Sequence, residues 1–139
     1  MDTGPLVAYL SRRDAYHEWA VEQFAALDPP IITCEAVLTE ACFVAARSRI
    51  SPPRLLDFVA NGALAIGLEL QEEASAVRGL MMRYADIPMS FADACLVRLA
   101  EITGLSICTL DGDFAIYRAH GRRPLRLIAP DPRRGLHES

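Results

Sequence analysis

Apolar and polar residues along the chain form two patterns, one typical of amphipathic helices and one typical of buried strands. In five stretches the apolar positions recur every three or four residues, which predicts amphipathic helices. These stretches are 5–27 (one helix or two), 34–49, 51–62, 71–88 and 90–104. Four shorter apolar runs between and after them predict buried strands. The runs are 30–34, 63–70, 105–110 and 124–130.

Strands that alternate with helices favour a mostly parallel sheet with helices on both faces. The predicted fold is therefore α/β, a three-layer sandwich with helices flanking a central sheet. We expect a single domain over 1–139, with a frayed tail over 130–139. In such sheets, binding and catalytic sites form beyond the carboxyl ends of the strands.

Composition excludes several classes of chemistry. All fourteen basic residues are arginine, so a Schiff-base lysine, a Ser-Lys pair and a Walker-A lysine are ruled out. The four cysteines form no C-x-x-C pair and lie among apolar residues, which indicates reduced, buried thiols in a cytoplasmic protein. No apolar run reaches the roughly 18 residues of a membrane span, so we expect no membrane association.

Four acidic residues occupy unusual positions, in apolar segments or where predicted elements meet. Asp2 precedes the first helix, Glu40 lies in the apolar run "VLTEACF", Asp93 follows a helix start and Asp111 follows a strand, with Asp113 close behind. Each has an ordinary explanation as a helix-start acid, a solvent-facing helix residue, a cap or a turn residue. If they converge instead, their repulsion is best relieved by a hard divalent cation such as Mg²⁺ or Mn²⁺.

The order and spacing of four motifs resemble those of PIN-domain ribonucleases of the kind found as VapC toxins. The motifs are "DTGPLVA", "TCEAVLTEACF", "MSFADACLVRLAE" and "TLDGDF". The resemblance implies two sets of site residues. The metal-binding and catalytic set is Asp2, Glu40, Asp93 and Asp111, and the accessory set is Asp113, Thr3 and Thr109.

The same resemblance implies a function and partners. It implies an endoribonuclease that uses Mg²⁺ or Mn²⁺ to hydrolyse RNA phosphodiester bonds, acting as the toxin of a type II toxin–antitoxin pair. A cognate antitoxin and a homodimer are the implied protein partners. Relatives carry several apolar residues before the first aspartate, whereas here only Met1 precedes it, so we expect the natural start to lie upstream.

Arginines and aromatic residues supply candidate contact surfaces. We expect the RNA to be contacted by Arg12, Arg13, Arg122 and Arg123. Tyr117 is a candidate for stacking on a base. A homodimer would use apolar helix surface carrying Trp19, Phe24, Phe43 and Phe58.

Two other functions compete with the ribonuclease. One is a catalytically inactive PIN-like module that binds RNA or protein. The other is a phosphotransferase with Asp2 as nucleophile, which typically needs a second acid two residues on and a distant lysine. Gly4 occupies that second position and lysine is absent, so the phosphotransferase is disfavoured.

Overall fold

The computed structural model describes residues 1–131, so most of the predicted frayed tail lies outside the described residues. Six α-helices are present in this range. They are α1 Thr3–Leu10, α2 His17–Ala26, α3 Glu35–Arg47, α4 Pro53–Ala60, α5 Leu70–Arg83 and α6 Phe91–Thr103. The strands are β1 Ile31–Thr33, β2 Leu64–Ile66, β3 Ile107–Cys108, β4 Arg118–Ala119, β5 Arg123–Pro124 and β6 Leu127–Ile128. A 3₁₀ helix, Gly112–Ala115, follows β3.

Within residues 1–131 the strands form three short two-stranded sheets, and two of the three are parallel. β1 pairs with β2 and β3 pairs with β6, both in parallel, whereas β4 and β5 form an antiparallel hairpin. Extended residues Met1 and Asp2 lie between the two parallel pairs. The Met1 amine donates to the carbonyl of Ile32 at 2.9 Å, and the Asp2 N–H donates to the carbonyl of Cys108 at 2.9 Å. The predicted α/β fold is confirmed, and its centre is this two-residue segment.

An apolar cavity lies at the N-terminal end of the central segment. Its volume is about 310 Å³, and it is lined by β1, β3 and α6 together with Met1. The expectation of a chain start upstream of Met1 is not tested by this arrangement and stays a prediction.

Helix α6 lies in the core, and its ends follow from local sequence. Ser90 and Asp93 form a reciprocal capping box at its start, and Gly104 ends it with φ 71°. Most of its first two turns are buried, including Leu96 and Val97. The box supplies partners for backbone donors that the first turn of a helix leaves unpaired. Burial of its apolar side chains then stabilises the helix in the core.

One open point is resolved by the structure, and two sequence-based expectations differ from it. The stretch 5–27, for which the sequence left one helix or two, forms two helices, because residues 12–16 take turn or bend conformations between α1 and α2. The predicted strand 63–70 is reduced to β2, and Leu70 already begins α5. The β4–β5 hairpin was not predicted. Its turn contains His120 and Gly121 with φ of 52° and 71°, a left-handed conformation that glycine adopts readily.

The described residues also show the state of the cysteines and the character of the helices. All four cysteines are unpaired, and Cys34, Cys95 and Cys108 are buried. None of the helices within residues 1–131 has the length and apolar character needed to cross a bilayer.

Candidate functional site

Asp2 is held in a fixed orientation at the end of the central segment. It caps the start of α1 by accepting a hydrogen bond from the Thr3 N–H at 2.7 Å. Its other carboxylate oxygen accepts from the Thr109 hydroxyl at 2.7 Å. Only 7% of Asp2 is exposed. Burial raises the pKa of Asp2, and the Thr109 and Thr3 hydrogen bonds oppose that rise.

Thr109 joins Asp2 to the acids that follow β3. Its fully buried hydroxyl donates to Asp2 and also accepts from the Asp111 N–H at 2.9 Å. The Asp111 carboxylate caps the 3₁₀ helix by accepting from the Asp113 N–H at 2.9 Å. The Asp111 charge contributes to the raised pKa of Asp2. Asp111 therefore lies close enough to interact electrostatically with the first acid.

Glu40 reaches the same region from α3. The Thr3 hydroxyl donates to Glu40 at 3.3 Å and also lies 3.4 Å from the Val37 carbonyl. Although Glu40 is exposed, its pKa is raised, first by partial desolvation and then by the charges of Asp93 and Asp2. The sequence left two explanations for Glu40, a solvent-facing helix residue or a member of the acidic site. A glutamate that only faced solvent would not make these interactions.

Asp93 has a structural role and also interacts with other acids. The Ser90 N–H donates to its Oδ2 at 3.3 Å within the capping box. The Tyr117 hydroxyl donates to the same oxygen at 3.2 Å. Burial raises the pKa of Asp93, and the Asp2 charge raises it further. The capping role that the sequence suggested is thus present, and it coexists with electrostatic contact to Asp2.

Tyr117 is the residue whose role was predicted wrongly. Stacking on a base requires an exposed ring, but Tyr117 is fully buried and packs edge-on against Phe114 and Tyr84. Burial and the neighbouring Asp93 charge raise the pKa of Tyr117, so its hydroxyl remains a proton donor. The apolar spacing of Phe114 and Tyr117 in "DFAIY" was the available sequence signal for a buried ring.

The four acids come from four different parts of the fold, and charge interactions and hydrogen bonds through Thr3 and Thr109 link them. Within residues 1–131, however, no three Asp, Glu, His or Cys side chains are arranged closely enough to hold a metal ion. The chemistry of the donors fits a hard cation, since the set is all oxygen and the mutual charges oppose ionisation. The carboxylates would have to approach one another further to share one ion.

The four arginines expected to contact RNA lie in two exposed turns. Arg12 and Arg13 lie between α1 and α2, and Arg122 and Arg123 lie in the β4–β5 hairpin. In the described part of the chain, none of them forms an ion pair with Asp2, Glu40, Asp93 or Asp111. Their expected contact with RNA stays a prediction.

Comparisons with known proteins identify the family. The sequence profile of the PIN domain matches residues 1–119, which is most of the chain. A search of curated proteins found no match. PIN domains are generally metal-dependent nucleases, and the matched range contains the four acids together with Thr3, Thr109 and Asp113. The chain belongs to the PIN domain family.

Proposed function

We propose that this protein is an endoribonuclease that hydrolyses RNA phosphodiester bonds with Mg²⁺ or Mn²⁺. The observation that carries the proposal is a set of hydrogen bonds that links the acids, since Thr109 joins Asp2 to Asp111 and Thr3 joins Asp2 to Glu40. The charges of neighbouring acids also raise the pKa values of Asp2, Glu40 and Asp93. Repelling carboxylates on separate elements cost folding stability, and a bound cation removes that cost.

The cation would be held by Asp2, Glu40, Asp93 and Asp111. When bound, such an ion polarises a phosphate oxygen and makes water more acidic. The protein's own contribution is orientation, because each of the four carboxylates accepts a hydrogen bond from the backbone N–H or side-chain hydroxyl of another residue. Thr109 orients Asp2 at 2.7 Å, and Thr3 reaches Glu40 at 3.3 Å. Asp113 lies next to this set through its N–H bond to Asp111.

RNA binding is assigned to the two exposed turns. Arg12 and Arg13 on one side, and Arg122 and Arg123 on the other, supply guanidinium groups that pair with phosphates. These contacts offset the repulsion between RNA and a chain of net charge −4.

The biological setting is assigned from the motif resemblance. We place the protein in the cytoplasm as the toxin of a type II pair, bound by a cognate antitoxin, and the four unpaired cysteines support a reducing compartment. We also propose a homodimer. Phe43 on α3 supports it with 64% exposure, as does Leu56 on α4 with 54%. Phe24 and Phe58 are less suited to that surface than expected, since both rings pack on Tyr9 within the chain.

One observation keeps a second function in consideration. Because no three acids converge within residues 1–131, an inactive PIN-like module that binds RNA or protein is the alternative. The two functions differ in whether RNA is cut.

The test is an RNA cleavage assay with purified protein. We expect cleavage of single-stranded or loop RNA in Mg²⁺ or Mn²⁺, its loss on addition of EDTA, and its return when the cation is restored in excess. Cleavage that persists unchanged in EDTA would contradict the metal requirement. Tight binding of RNA without cleavage under any of these conditions would favour the inactive module.

A further inference from the structure

We propose that Tyr117 is a positioning residue for the cation site, acting through the Asp93 carboxylate. The inference rests on the proposed function. The Tyr117 hydroxyl donates to Oδ2 of Asp93 at 3.2 Å, and the Ser90 N–H donates to the same oxygen at 3.3 Å. Two donors on one oxygen restrict the orientation of the carboxylate, which would help to hold the cation when the ion is bound.

Helix capping does not account for the Tyr117 bond. The capping box is complete with Ser90 and Asp93 alone, because each side chain accepts from the backbone N–H of the other. Tyr117 lies 24 residues away, beyond the 3₁₀ helix that carries Asp113. Its hydroxyl therefore ties the segment after β3 to the carboxylate on α6.

The Tyr117 ring is itself held firmly. It is fully buried, and its centroid lies 5.4 Å from that of Phe114 and 5.1 Å from that of Tyr84, at interplanar angles of 84° and 60°. The Tyr84 and Phe114 rings therefore pack against the Tyr117 ring and hold it in place. A donor whose ring is already immobilised loses little conformational entropy when it bonds to Asp93.

Residues that hydrogen-bond to a metal-ligating side chain influence metal affinity in proteins generally. Hydrogen-bond partners of metal-ligating carboxylates and imidazoles orient those ligands, and their removal typically weakens binding about 10-fold to 100-fold. Tyr117 would act in this way on Asp93 without contacting the cation or the RNA.

Tyr84 supplies a matched control for the experiment. Tyr117→Phe removes the hydroxyl that reaches Asp93, and Tyr84→Phe removes a hydroxyl from the same aromatic cluster that reaches the Arg118 N–H instead. Both variants keep their rings, and each loses one hydrogen bond. A general loss of packing would therefore affect both variants alike.

The test compares Mn²⁺ affinity, measured by calorimetry, among the wild type and the two variants. We expect Tyr117→Phe to bind Mn²⁺ about 10-fold more weakly, and Tyr84→Phe to bind it as the wild type does. In the Asp93→Asn background, Tyr117→Phe should cause no further loss of affinity, because the carboxylate it orients is gone.

The possible failures are distinguishable. Wild-type protein that binds no Mn²⁺ overturns the proposed function, and the positioning role with it. If the wild type binds Mn²⁺, the positioning role alone is overturned in either of two ways: Tyr117→Phe keeps full affinity, or the two tyrosine variants lose affinity equally.

Discussion

Asp93→Asn is expected to lower the rate of RNA cleavage by about 100-fold or more, a loss typical of removing a group that stabilises charge in the transition state. The fold should remain, because an asparagine oxygen can still accept from the Ser90 N–H and the Tyr117 hydroxyl. The variant should be as stable as the wild type or more so in EDTA, since it removes one charge from a crowded acidic set.

A second acid provides the control for this variant. Asp86 is exposed in the turn after α5. Asp86→Asn makes the same change in net charge and should leave cleavage unchanged. Cleavage rates are measured on one labelled RNA at saturating Mn²⁺, with melting curves of all three proteins recorded alongside. Full activity in Asp93→Asn would remove Asp93 from the proposed site.

Mn²⁺ is expected to stabilise the wild-type protein strongly. A ligand that binds only the folded state at 100 times its dissociation constant adds about 2.7 kcal/mol to the free energy of unfolding. For a chain of this size that corresponds to a rise in melting temperature of about 10 °C. The rise should be much smaller in Asp2→Asn, because the variant lacks the acid at the centre of the cluster.

The pH dependence of this stabilisation follows from the raised pKa values of Asp2, Glu40 and Asp93. In EDTA, the folded state favours their protonated forms. The preference of the folded state for these protonated carboxyls stabilises the protein fully below the ordinary carboxyl pKa of about 4. This stabilisation is lost as the pH rises through the raised pKa values of the folded state. The cation competes with protons for the carboxylates, so the Mn²⁺-induced rise should be larger at pH 7 than at pH 5. Equal melting temperatures with Mn²⁺ and with EDTA at both pH values would contradict the prediction.

The sequence predicts helices better than strands in this chain. Helix α6 was located closely, since its first and last residues are set by Ser90 and Gly104, whose effects are local. The strands are two or three residues long, too short for a periodic pattern to define their ends. β4 and β5 exist because a left-handed turn at His120 and Gly121 brings them together.

In the candidate site as well, the sequence predicts some features and not others. Asp2 and Asp111 could be identified as site candidates because their positions at junctions between predicted elements can be recognised from the sequence alone. The double role of Asp93 could not be resolved, because the sequence shows the capping motif and not the other acids near it. The contact between Tyr117 and Asp93 is also invisible in the sequence, since the two residues are 24 positions apart along the chain.

The central claim is that Asp2, Glu40, Asp93 and Asp111 together hold a divalent cation. The most direct measurement is a crystal structure grown with Mn²⁺, with diffraction recorded at a wavelength where manganese scatters anomalously. The account predicts an anomalous peak among these four side chains, with carboxylate oxygens at roughly 2.0–2.6 Å, the distances of hard cations in proteins. Mn²⁺ that binds only elsewhere, with the four carboxylates still apart, would contradict it.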